Sequence, residues 1–163
     1  MFGRTQDSKQ DSKKSSDENY TVSNNCFSMS LGSDWVDESH YAFRGPECDG
    51  IEHSININIE QNPEINELKA FAQFQIESLK NNLSGFQELK SAESLTDSGL
   101  PAYEYVYKWE PVPHTVIYQK MFFIMTERTA YKLLTTFSKK SWKMIGAEID
   151  KIMRSFVPFL AMK

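Results

Sequence analysis

Three histidines (His40, His53 and His114) and two cysteines (Cys26 and Cys48) are the residues of this chain best suited to metal or nucleophile chemistry. No two histidines are spaced as a metal-binding pair, and the cysteines do not form a zinc-type spacing. His40 and His53 could meet only if their strands were neighbours. A nucleophile elbow, a phosphate-binding loop and a dinucleotide fingerprint are all missing, and "SGLPAYEY" reads as a turn entering a strand. Asp34 and Asp37 flank Trp35, where turn capping and solvation explain the pair without acid–base work. Glu104, Lys108 and Glu110 share one strand face and read as salt-bridged surface. The expectation is a protein that is not an enzyme, with no metal and no cofactor.

The elements that would carry any site follow from periodicity. "CFSMSL" alternates Phe27, Met29 and Leu31 against Cys26, Ser28 and Ser30, a strand pattern, and "HYAF" is a second strand. "RGPECDG" reads as a loop. "SININIE" sets Ile55, Ile57 and Ile59 against Ser54, Asn56, Asn58 and Glu60, the clearest half-buried strand of the chain. A helix is expected next, capped by Asn62 with Pro63 at its first position. Its stripe would be Ile65, Leu68, Ala72, Ile76, Leu79 and Leu83, with Phe74 on the opposite side. A short strand at 86–95 precedes three long ones at 102–109, 115–126 and 129–138. A last helix over 141–156 carries Trp142, Ile145, Ile149, Ile152 and Phe156 on one stripe. Strands, helix, meander, helix: the order predicts an α+β fold, an antiparallel sheet with two amphipathic helices.

Bulk properties narrow the function. The chain has 163 residues and a formal charge of −4, which gives no electrostatic reason to expect a nucleic-acid surface. Residues 1–19 are Ser, Asp, Lys and Gln with little apolar content, so a disordered tail is expected before a single domain at 20–163. The charges of that tail balance, which argues against a polybasic membrane anchor. It lacks the apolar core of a signal peptide, and no window has the apolar length of a membrane-spanning helix. A cytoplasmic protein is therefore expected.

One strand departs from ordinary one-sided burial. In "TVIYQKMFFIMT", Val116, Tyr118, Phe122 and Ile124 share one face with Lys120. Ile117, Met121, Phe123 and Met125 share the other with Gln119. Either helices bury both faces, or one face is an open apolar surface, which usually marks a binding site. Met adapts to varied apolar partners, and Gln can hydrogen-bond a buried guest.

The succession "FSMSLGSDWVDES", "SININIE", "LKNNLSGFQEL", "GLPAYEYVYKW", "IYQKMFF" and "AYKLLTTF" resembles the DcrB-like family, whose compact α+β fold is PsbP-like. One exported branch carries a lipid anchor that this N-terminus does not match. The other branch comprises the cytoplasmic Eag chaperones of type VI secretion, dimers that hold the transmembrane segments of effectors before export. The resemblance implies a homodimeric chaperone or adaptor whose partner is a secreted effector with hydrophobic N-terminal segments. The strand pattern then nominates Ile117, Gln119, Met121, Phe123 and Met125 as effector-binding, with Phe27 and Met29 as additions. A small apolar-ligand carrier or an enzyme using the same concave face is the alternative.

Overall fold

The computed structural model describes residues 20–23, 28–32 and 34–159. The expected tail at 1–19, Cys26 and Phe27 lie outside them. The chain divides into two compact units, 1–37 and 38–163. In the first, β1 (Tyr20–Ser23) pairs antiparallel with β2 (Ser28–Leu31).

The second unit is built on an antiparallel six-stranded sheet of order β3-β4-β8-β7-β6-β5. The strands are β3 (His40–Cys48), β4 (Ile51–Gln61), β5 (Gln87–Leu95), β6 (Pro101–Val112), β7 (Thr115–Met125) and β8 (Thr129–Phe137). Helices α1 (Leu68–Asn82) and α2 (Lys139–Arg154) complete the α+β architecture. The segment read as the loop "RGPECDG" is largely strand instead. β3 continues through a register shift between Arg44 and Glu47, and Cys48 pairs with Ile51. Asp49 and Gly50 make the turn at φ 57° and 70°, both positive, as a two-residue hairpin of type I′ requires.

α1 begins at Leu68, not at Pro63. Asn62 sits at φ 49° with its N–H bonded to the Arg128 carbonyl, which ends β4 and keeps it out of a helix cap. Glu67 caps instead, its carboxylate accepting from Lys69 N at 2.9 Å and Ala70 N at 2.7 Å. α2 is capped reciprocally. Ser138 Oγ accepts from Ser141 N, and Ser141 Oγ accepts from Ser138 N.

The helices lie on opposite faces of the sheet. α1 packs over β6 and β7, where Phe71, Ala72 and Ile76 meet Tyr103, Tyr105, Met121 and Phe123. α2 packs over β7 and β8, where Ile149 and Met153 meet Phe122, Ile124, Leu133 and Phe137. The period-two alternation of β7 thus feeds two cores at once, and both of its apolar rows are used inside the chain. Complete burial of side chains such as Phe122 and Phe123 contributes roughly 1.5–3 kcal/mol each.

Candidate functional site

The five residues nominated on β7 do share one face, but that face is closed. Met121 and Phe123 are buried under α1, with the Phe123 ring edge-on to Phe71 at 6.2 Å. Met125 is partly buried against the same core. Ile117 is half-buried opposite Trp109. Gln119 serves the sheet itself. Its Oε1 accepts from Tyr107 Oη at 2.8 Å and Trp109 Nε1 at 2.9 Å, and its Nε2 donates to Thr136 Oγ1 at 3.0 Å. Burial pushes the Tyr107 phenol up to about 12, so it remains a donor to Gln119. The expectation of an open β7 surface is therefore corrected, because α1 occupies it. Met29 is half-exposed in β2, and Phe27 lies outside the described residues.

An apolar opening exists elsewhere, and the alternation of β4 explains why. Ile55 and Ile57 point to the α2 face, whereas Ser54, Asn56 and Asn58 point to the other. α2 lies over β7 and β8, so the apolar face of β3 and β4 extends beyond the helix. On β3, Tyr41 pairs with Ile57 and Phe43 with Ile55, continuing the apolar row to the sheet edge. The result is a groove of about 380 Å³ between the β3–β4 hairpin and α2. Phe43, His53, Ile55 and Ile57 line it from the hairpin, and Ile145 and Ile152 line it from α2. Phe43 is 57% exposed and Ile152 47%. Arg44 and Glu148 supply charge among the lining residues. This volume falls within the range of ligand pockets, and its lining has their mainly apolar character with few polar groups.

His53 is the polar exception. Its side chain is 1% exposed, and Nδ1 lies 3.1 Å from the Thr136 carbonyl oxygen, which can only accept. Nε2 is buried with no partner among the described residues. His40 pairs with Asn58, well along the ladder from His53, so the two histidines do not meet. Among the described residues, no group of three or more His, Cys, Asp or Glu side chains is placed to hold a metal.

The sequence reading also missed a buried ionic cluster beneath α2. Glu104, expected at the surface, is 5% exposed. It accepts from Lys120 and Lys90, each at 2.8 Å, and lies 3.4 Å from Arg154. Lys120 also pairs with Asp150 of α2, which accepts from Arg154 Nε at 2.9 Å. Burial pushes the Glu104 and Asp150 carboxyls up, but hydrogen bonds outweigh it and hold both below the ordinary range. Lys120 and Lys90 serve Glu104, and Lys120 and Arg154 serve Asp150. These groups are saturated by one another and lie outside the groove lining, so the cluster clamps α2 to β6 and β7.

Solved structures place this architecture. PA94 from Pseudomonas aeruginosa, a protein of unknown function described as a candidate regulator, superposes with a TM-score of 0.73 at 17% identity, over 88% of this chain and 99% of that one. Cyanobacterial PsbP (CyanoP) from Synechocystis sp. PCC 6803 matches with a TM-score of 0.52 at 9% identity, over 87% and 92%. No curated protein matches the sequence. A six-stranded antiparallel sheet with one helix on each face makes this a PsbP-like α+β domain. Residues 27–155 match DcrB, and the chain belongs to the DcrB family.

Proposed function

We propose that this DcrB-family domain is a non-catalytic chaperone or adaptor. It shields a hydrophobic N-terminal segment of a type VI secretion effector in the cytoplasm before export, and it works as a homodimer. The open apolar groove between the β3–β4 hairpin and α2 carries the reading. The sequence resemblance to Eag chaperones supplies the class of guest. At about 380 Å³ the groove takes a few side chains from one face of a guest helix, with the remaining faces left to a second copy. Shielding needs burial alone, at roughly 25 cal/mol per Å² of apolar surface. The same volume also suits a small apolar ligand, which is the second reading.

Co-expression with a reporter that carries an effector's apolar N-terminal segment tests the proposal. The wild-type domain is expected to keep the reporter soluble and to co-purify with it stoichiometrically. Phe43→Asp combined with Ile152→Asp should abolish retention and leave the melting temperature within a few degrees, because both side chains are largely exposed. Failure of the wild type to retain the segment overturns the chaperone reading. Full retention by the double variant places the guest elsewhere.

A further inference from the structure

We propose that the segment after α2, Val157-Pro158-Phe159, is a strap that folds back into the groove and fills it until a guest displaces it. The inference rests on the reading of the groove as the guest site and adds a competitor that the chain itself carries. Phe159 is 94% exposed, the most exposed large apolar side chain among the described residues, and Val157 beside it is more than half exposed. In the sequence Leu160, Ala161 and Met162 continue the apolar run. Moving such side chains onto an apolar wall removes their area from water. A wall of this kind is at hand, because Ser155 and Phe156, directly before the segment, already line the groove.

Local sequence prepares the segment to turn back. Pro158 disfavours the helical region at Val157, so α2 gives way to extended chain, and Pro158 itself has no N–H to satisfy. In extended chain Val157 and Phe159 share one side. Three residues at about 3.3 Å each carry Phe159 roughly 10 Å from Phe156. α2 rises about 1.5 Å per residue, so Ile152 and Ile149 of the lining lie about 6 and 10 Å back along it. A reversal at Phe156, whose ring packs on Tyr131 at 5.1 Å between centroids, therefore brings Phe159 over the half-exposed Ile152. The lining also suits a length of chain better than a bare hydrocarbon. Besides its apolar side chains it includes Arg44, Ser54, Glu148 and Ser155, residues able to bond to peptide N–H and C=O groups. The structure presents the open form, with Phe159 in solvent and the groove free.

NOE spectroscopy on the unaltered protein tests this. Contacts between the Phe159 ring and the Ile152 methyls are expected, with the strap closed about four-fifths of the time. Saturation with the apolar probe 1-anilinonaphthalene-8-sulfonate should remove them. Phe159→Ser, left without the ring that closes the groove, should bind the same probe about fivefold more tightly, because the wild-type groove is free only about one-fifth of the time. Contacts that are absent, or that survive saturation, overturn the proposal. Equal or weaker probe binding by folded Phe159→Ser overturns it as well. Mixing isotope-labelled with unlabelled chains separates the two sources of the segment: contacts that arise only between chains put it in a second copy and overturn the strap. Retention of the effector segment without these contacts sinks this inference alone, whereas contacts without retention sink only the chaperone reading beneath it.

Discussion

Replacing Lys120 by alanine lowers the stability of the domain by about 3–5 kcal/mol, read as the urea midpoint at constant slope. Lys120 stands between two carboxylates, Glu104 at 2.8 Å and Asp150 on α2. Its removal leaves Glu104 buried with only Lys90 and Arg154 to answer it, and Lys90 is half-exposed. The desolvation already incurred by the carboxylates is then poorly offset. The pH dependence carries the same signature. Both carboxyls are held below their ordinary range, so their stabilisation is full above an unfolded-state pKa of about 4 and fades as pH falls through the folded values. The wild type should therefore lose stability on acidification more steeply than Lys120→Ala. Parallel acid profiles for the two proteins would show that the cluster does not clamp α2.

Phe123→Ala is expected to cost about 3–5 kcal/mol, which lowers the melting temperature by roughly 10 °C or more. The ring is fully buried, faces Phe71 edge-on and has Tyr103 as its cross-strand partner. Calorimetry decides. A change of less than 1 kcal/mol would mean that α1 does not close this face, and would restore β7 as an open surface. Phe43 provides the contrast, since the same residue type at the exposed edge of β3 is expected to leave stability nearly unchanged when replaced. A binding defect in Phe123→Ala reports a lost core; one in the Phe43 variant reports a lost contact.

Much of the fold was legible because its strands keep strict alternation. "SININIE" predicts the buried row of β4, though not the strands it pairs with, and the α2 stripe predicts Ile149 under the helix. The hairpin turn was also written in the sequence, as Asp49-Gly50, but Gly45 and Pro46 beside it favoured a loop reading. The bulge between Arg44 and Glu47 is what lets β3 carry them. The site was harder to see. Periodicity says that a row is apolar, not which helix lies above it, and β7 has two apolar rows because two helices use them. Tyr41 and Phe43 alternate with His40 and Ala42, so their shared face was readable. That α2 leaves this face uncovered depends on where the helix lands. Glu104 was misread for the opposite reason: its neutralising partners come from β5, β7 and α2, far apart in sequence.

The sheet's connectivity makes the two walls of the groove unequal in the order of assembly. β5 through α2 form a run of near-neighbour pairings, whereas the β3–β4 hairpin joins them through a single ladder between residues 55–61 and 129–135. Closing a ladder across so long a stretch is entropically expensive and late, so the hairpin behaves as the last cooperative unit to dock and the first to open. Amide exchange should accordingly be faster through β3 and β4 than through β6 and β7, and a guest held between hairpin and helix should slow it. Uniform protection across all six strands would instead make the sheet one cooperative block. In the first case the groove is an aperture whose hinge is a hydrogen-bonded seam, and its occupant acts as the fastener.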